Sequence, residues 1–231
     1  MYSPPEGILL VNKPKGITSF SLVAALRKLL NVQKIGHAGT LDPMATGVMV
    51  MLIGRAYTKL SDQLLTSNKE YEAIVTLGCS TTTYDAEGEI TAESSLIPSS
   101  EALKTALNAF QGHVLQVPPM FSAKKVQGKK LYELARKGVK IERQAIPIHL
   151  DTLLMDYTYP HVRIRVSCSK GTYIRSIAHD LGEKLGCHAH LSALRRTRSG
   201  SYTLADCLDG ELRPATEEKR EACLKALRKS P

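Results

Sequence analysis

Residues 36–47 read GHAGTLDPMATG, and VMVMLI (48–53) follows directly. The second segment is an unbroken apolar run bounded by Gly47 and Gly54, the pattern of a strand covered on both faces. The first places one carboxylate, Asp42, among glycine, alanine, threonine and proline. Pro43 disfavours helical backbone at the residue before it, which holds Asp42 in an extended or turn geometry and presents its carboxylate outward. An Asp-Pro turn or a helix cap would use the same dipeptide. Gly36, Gly39 and Gly47 shift the balance toward a backbone that turns tightly and lets another chain come close.

Upstream, ILLV (8–11) reads as a short buried strand closed by the turn NKPKG, where Pro14 and Gly16 punctuate the backbone. A helix follows, capped by Thr18 or Ser19, with Leu22, Val23, Leu26, Leu29 and Leu30 along one side. The quoted stretch therefore joins a helix to a central strand. Downstream, EYEAIVTLG alternates, with Tyr71, Ala73, Val75 and Leu77 on one face, and leads into the polar, turn-rich CSTTTYDAEGEI that carries Asp85. SSEALKTALNAFQG is a capped amphipathic helix ended by Gly112, and KKLYELARKG a shorter one ended by Gly138. Between them VPPMFSAKKVQGKK reads as a mobile basic loop. VRIRVSCS (162–169) alternates as a strand, and KGT turns the chain into a helix with a core face of Ile174, Ile177, Ala178, Leu181 and Leu185. LSALRRTRSGSY packs arginines ahead of a glycine turn, and ATEEKREACLKALRK is a last helix with Glu217 and Glu218 at its positive N-terminal dipole.

The 231 residues suffice for one well-buried domain, and 43% hydrophobic with 23% charged residues excludes disordered and fibrous classes. Lys plus Arg at 31 against Asp plus Glu at 22 leaves a charge of +9, which favours a polyanionic partner or an anionic membrane surface over a neutral metabolite. No apolar run approaches the roughly 20 residues of a membrane span, and the N-terminus has no signal-peptide core, so the expected location is the cytoplasm. Cys79, Cys168, Cys187, Cys207 and Cys223 are odd in number and lack CxxC spacing, and are read as reduced thiols. CHAH (187–190) has no further ligands at zinc spacing, so no metal is expected. Phosphate-loop, dinucleotide and zincin motifs are absent.

Taken singly, the candidate side chains have ordinary readings: His37 a turn histidine, Tyr71 strand packing, Arg175 a solvated helix residue. Together they change meaning. An arginine near strand ends is a natural partner for a shielded aspartate, and Tyr173 and Arg175 sit at a helix start where a phosphate could dock. Two basic clusters, Lys124, Lys125, Lys129 and Lys130 in one loop and Arg195 and Arg196 in another, form an extended footprint for nucleic acid.

GHAGTLDPMATG, KEYEAIVTLG, YDAEG, SAKKVQGKKLYELARKG, CSKGTYIR and LRRTRSG, in this order, resemble the bacterial TruB family of tRNA pseudouridine synthases, over about residues 7–203. The resemblance implies an α+β pseudouridine-synthase fold: a curved, mixed, mostly antiparallel sheet with flanking helices and a central RNA-binding cleft. It implies a catalytic domain over 1–205, with an RNA-clamping loop at about 117–138. Residues 206–231 are read as a short C-terminal tail, below the roughly 40 residues that an added RNA-binding PUA domain would need. The implied reaction isomerises uridine 55 in the T-arm loop of tRNA to pseudouridine, without cofactor or metal, in a monomer that needs no protein partner and no membrane.

By the same resemblance Asp42 matches the catalytic aspartate, Arg175 the arginine paired with it, and Tyr71 the tyrosine over the target base. Tyr173 and Leu194 match substrate-pocket residues, His37 the histidine that enters the space around the flipped nucleotide, and Lys13 and Asp85 further positions near the cleft. The chain departs from the family in TTTYDAEG, where Thr82 stands at a position acidic in many relatives. Breaking the N1–C1′ bond and joining C5 to C1′ needs a group that assists cleavage and is later released, which suits a carboxylate. Asp42 could attack C1′, add to C6 or remove the C2′ proton. Extruding the nucleotide costs a few kcal/mol, which stacking and filling of the vacancy would offset. An RNA-binding module without turnover is the reading from another class; an aspartate-nucleophile hydrolase is disfavoured because Asp42 is followed by Pro-Met and not by a DxD pattern.

Overall fold

A computed structural model describes residues 4–65, 67–122, 124–126, 128–135, 137–139 and 141–230, with the backbone alone for 125, 126, 129 and 130. The chain divides into two compact units, Met1–Tyr71 with Arg195–Pro231, and Glu72–Leu194.

The first unit opens with β1 (Gly7–Lys13), α1 (Ser19–Leu30), β2 (Ile35–His37), β3 (Thr46–Ile53), the short α2 (Arg55–Thr58) and α3 (Ser61–Leu65), and the start of β4 (Lys69–Leu77). β3 is the buried strand expected from its apolar run: Val48 to Ile53 are each at most 1% exposed. It pairs antiparallel with the whole of β1, from Gly7 opposite Ile53 to Lys13 opposite Gly47. Thr18 caps α1, its hydroxyl accepting from the Ser21 amide at 2.9 Å. That assignment releases Ser19 for another task. Leu22, Val23, Leu26, Leu29 and Leu30 form the buried stripe of the helix. Gly36 and His37, expected in the loop, belong instead to β2, which pairs antiparallel with β3 and sets His37 opposite Met51. The core of this unit gathers Ile8, Leu10, Ala38, Val48, Val50, Leu52 and Tyr202.

The second unit continues with a β5 (Cys79–Thr81) and β6 (Ile90–Glu93) hairpin, α4 (Ser100–Leu107), β7 (Gly112–Gln116), β8 (Lys125–Val126) and β9 (Lys129–Lys130), α5 (Leu131–Ala135), β10 (Ile146–Thr158), β11 (His161–Cys168), α6 (Ile174–Leu185) and β12 (Ala189–Ser199). Its strands run in the order β12-β4-β11-β10-β7, with β11–β10 and β10–β7 antiparallel. The helix expected over 99–112 is shorter. It ends at Leu107, passes through a single 3-10 turn, and Gly112 opens a strand at φ +70.

The chain then returns to the first unit with β13 (Tyr202–Thr203), β14 (Leu208–Asp209) and α7 (Glu217–Lys225). The order there is β14-β1-β3-β12, with parallel pairing at β14–β1 and β12–β3. Both units thus follow the α+β class, with parallel and antiparallel pairs in the first and antiparallel pairs at β11–β10 and β10–β7 in the second. The segment read as a tail is built into the first unit: β14 extends its sheet beside β1, and Ile8 and Arg228 exchange backbone hydrogen bonds at 2.8 and 2.9 Å. α7 starts on its Thr216 cap with Glu217 and Glu218 in the first turn, where the helix dipole favours them. No helix among the described residues is long and apolar enough to cross a membrane.

Candidate active site

Asp42 occupies the first position of a tight turn: the Ala45 amide donates to its carbonyl at 3.1 Å, with Pro43 at the second position. Proline is pre-organised for that place, so the reading of the dipeptide as a turn holds. The side chain of Asp42 is half-buried.

Buried polar groups from three elements hold the backbone of this turn. Ser19, 3% exposed, bonds Leu41 in both directions: its hydroxyl donates to the Leu41 carbonyl and accepts from the Leu41 amide, each at 3.0 Å. Lys13, fully buried at the end of β1, donates from Nζ to the carbonyls of Pro14 (2.9 Å), Pro43 (3.2 Å) and Ala45 (2.7 Å). Pro43 also accepts from the Gly16 amide at 2.8 Å. Arg196, 1% exposed, donates from Nε to Val48 O (2.7 Å) and from Nη2 to Gly39 O (3.2 Å) and Met49 Sδ (3.1 Å). At Gly47, φ +109, a Cβ would collide with the Arg196 backbone, so only glycine lets β12 lie against β3 there.

These contacts change the place of one predicted residue. Arg195 and Arg196 were expected on a basic loop; both lie in strand β12, and the alternation of a strand sends neighbours to opposite faces. Arg195 is exposed. Arg196 is inside, so it supports the Asp42 turn and offers no surface charge.

His37 is half-buried on β2, and its Nδ1 is buried with no hydrogen-bond partner among the described residues. Burial, and then the positive charge of Arg196, lower its pKa from the ordinary histidine value. Its imidazole is therefore neutral at physiological pH. Tyr71 is 7% exposed on the buried face of β4 with Ala73, Val75 and Leu77, as the alternation predicted. On the same face Lys69 turns its Nζ onto the carbonyls of Leu65 (3.0 Å) and Ser67 (2.6 Å).

In the second unit Arg175 and Asp85 form a buried ion pair, Nε to Oδ2 at 3.6 Å, with side chains 8% and 5% exposed. The guanidinium also donates to the carbonyls of Thr83 (3.2 Å) and Phe121 (2.9 Å). Asp85 accepts from the Thr83 hydroxyl at 2.6 Å and the Glu87 amide at 3.1 Å, which fixes the YDAEG turn. The resemblance implied Asp42, a residue of the other unit, as partner of Arg175; within its own unit the arginine has Asp85. Thr82 takes part in the turn through its backbone, its amide donating to Glu89 O at 2.9 Å, and its hydroxyl accepts from the Glu89 amide.

Tyr173, half-buried, stands at the N-cap position of α6, where Gln116 grips it from both sides: the Tyr173 amide donates to Gln116 Oε1 at 2.8 Å, and Gln116 Nε2 donates to Tyr173 O at 3.0 Å. Leu194 is 8% exposed on β12. Lys124 is half-buried, and the side chains of Lys125, Lys129 and Lys130 lie outside the described residues. Ser19 and Gln116 carry no signal in the sequence that marks them, because each acts on a backbone far away in the chain. Among the described residues no group of three or more His, Cys, Asp or Glu gathers as metal ligands.

Comparison with known proteins assigns the chain to a family. The model of the TruB family pseudouridylate synthase N-terminal domain matches residues 27–174, and that of the tRNA pseudouridylate synthase B C-terminal domain matches residues 175–227. The chain belongs to the TruB family. It is 64% identical over 211 residues to the tRNA pseudouridine synthase B of Protochlamydia amoebophila, covering 90% of this chain and 80% of that one. To the tRNA pseudouridine synthase B of Chlamydia pneumoniae it is 60% identical over 207 residues, covering 90% and 88%. Among solved structures this TruB-family chain resembles one in a Cbf5-Nop10-Gar1 complex, with a TM-score of 0.72, 27% identity and coverage of 96% of this chain. It also resembles one in an H/ACA RNP bound to a substrate RNA containing 2′-deoxyuridine, with a TM-score of 0.64, 27% identity and coverage of 88%. The chain spans 60% and 50% of the length of those two solved chains.

Proposed function

We propose that this TruB-family enzyme converts uridine 55 in the T-arm loop of tRNA to pseudouridine and that Asp42 is its catalytic carboxylate. The observation that carries the reading is the Asp42 turn: a half-buried carboxylate on a backbone held by buried groups, inside the stretch matched by the family model. A group that must meet a sugar or base atom benefits from a fixed position, because misplacement is paid in rate.

In the proposed reaction the N1–C1′ bond breaks, the base rotates, and C5 bonds to C1′; C5 loses its hydrogen as a proton and N1 ends protonated. Asp42 assists by attack on C1′, addition to C6 or removal of the C2′ proton, and in each case it is returned unchanged. Neutral His37 fills the space left by the extruded nucleotide without adding charge, Tyr71 packs on the base, and Tyr173, Leu194, Arg175 and Asp85 line the pocket. Lys13 serves by holding the turn. Lys124, Lys125, Lys129, Lys130 and Arg195 meet backbone phosphates, and binding therefore weakens steeply with salt. The enzyme acts as a cytoplasmic monomer, with the T-arm stem-loop as its contact and residues 117–138 closing on the RNA.

The test is release of tritium from tRNA labelled at C5 of uridine, followed by mapping of the modified base. Wild-type protein should release the label from position 55, and Asp42→Asn should release none while still binding tRNA. Wild-type turnover by Asp42→Asn would remove Asp42 from the chemistry; binding without product by the wild-type protein would make the chain an RNA-binding module.

A further inference from the structure

We propose that Arg196, together with Ser19, is a positioning residue for Asp42, a role that rests on the reading of Asp42 as the reacting carboxylate. Gly39 and Val48 stand on either side of residues 40–47, and a single guanidinium bonds the carbonyls of both, through Nη2 at 3.2 Å and Nε at 2.7 Å. Arg196 thus staples the two ends of the segment that carries Asp42. Ser19 holds the middle, with two bonds to Leu41 immediately before the aspartate. Movement of the segment at Gly39, Leu41 or Val48 breaks one of these hydrogen bonds, those at Leu41 and Val48 being buried, and a buried group left unpaired is costly.

The choice of residue supports this role. Arg196 is among the largest fully buried side chains, and among the described residues its hydrogen-bond partners are two carbonyls and the Met49 sulfur. A cation held away from water by dipoles alone is a poor way to gain stability, since a well-packed apolar side chain does as well or better. What the planar fork provides is geometry: two donors at a fixed separation, matched to two carbonyls that must stay a fixed distance apart. Lysine keeps the charge but replaces the planar fork by one nitrogen on a flexible stem, so the fixed separation of the two donors is lost.

Arg196→Lys and Ser19→Ala, with Asp42→Asn in parallel, test the proposal on full-length enzyme and unmodified tRNA. For Arg196→Lys the expected result is a kcat about 10- to 100-fold lower per folded molecule, the range that a displacement of about 1 Å produces. KM and tRNA affinity should stay within about twofold. Ser19→Ala should change kcat in the same direction by less, and if Arg196→Lys does not fold, this variant decides. The readout that a merely structural role would not move is the split itself, kcat lowered at unchanged KM in protein that is folded. The His37 imidazole reports on both burial and the Arg196 charge, so an unchanged titration in Arg196→Lys shows that the surroundings of His37 are kept.

A normal kcat in both Arg196→Lys and Ser19→Ala overturns the proposal, as does a raised KM at unchanged kcat, which would mean that Arg196 meets RNA directly. Lower thermal stability with full kcat per folded molecule makes the two residues structural only and also overturns it. If Asp42→Asn keeps wild-type turnover, the reading of the function has failed. If Asp42→Asn is inactive while the other variants are normal, only the positioning role has failed.

Discussion

Arg196 in one unit and Arg175 in the other are both buried arginines that donate to backbone carbonyls, but their charges are balanced differently. Arg175 faces the carboxylate of Asp85, itself buried and held by Thr83 and Glu87. Arg196 has carbonyl dipoles and a sulfur. An ion pair ties two side chains to each other and, through them, a turn to a helix. A lone guanidinium on carbonyls ties backbone to backbone, which suits a segment that must present a different residue, Asp42, in one place. Each unit repeats a second device, a buried side chain that bonds the amide and the carbonyl of one residue: Ser19 on Leu41, and Gln116 on Tyr173.

The largest difference between the two regions should appear at glycine. Gly47→Ala drives a Cβ into the Arg196 backbone at φ +109 and should cost more than about 4 kcal/mol or prevent folding. Gly112→Ala, at φ +70 with no atom of the described residues within 4 Å of the added Cβ, should cost only about 1–2 kcal/mol of backbone strain. Urea melts of the two variants compare them, and equal losses would deny the close approach of β12 to β3.

Next comes the charge balance. Asp85→Asn removes a countercharge from a buried arginine and should destabilise by about 3 kcal/mol. Arg196→Met strands two carbonyls but also removes a buried charge, so its loss should be smaller, about 2 kcal/mol. If Arg196→Met proved the more damaging in the same melts, the contrast between the two arginines would fall. Gln116→Ala removes the reciprocal bonds to Tyr173 and should cost about 2 kcal/mol, with raised KM for tRNA if Tyr173 lines the pocket.

The smallest effect is at His37. Its folded-state pKa lies below the ordinary 6.5, so between the two values the unfolded chain binds more protons than the folded one. Stability is then fully present above pH 6.5 and declines as pH falls from there toward the folded pKa. His37→Gln should flatten that slope, and proton NMR of the imidazole should give a midpoint below 6.5 in wild type.

Much of this was legible in the residues themselves. The buried strand of 48–53, the stripe of α1, the alternation of β4 and the Asp-Pro turn follow from periodicity and from the restriction proline places on its neighbour. Less legible was β10, the strand Ile146–Thr158: Ile148, Leu150 and Thr152 alternate inward, but a register shift between Leu154 and Asp156 breaks the period of two. Strand β12 was hidden by its charge, since three arginines in four positions read as surface.

What the sequence determined by itself was the family, the element types wherever hydrophobic period and turn chemistry agree, and the one carboxylate set among small residues. Only tertiary structure decided which polar side chains go inside. Arg196 lies 157 residues from Gly39, Ser19 22 from Leu41, and Gln116 57 from Tyr173. A buried cation or amide is stable only where distant carbonyls and amides meet it, and no local pattern records where those partners will be.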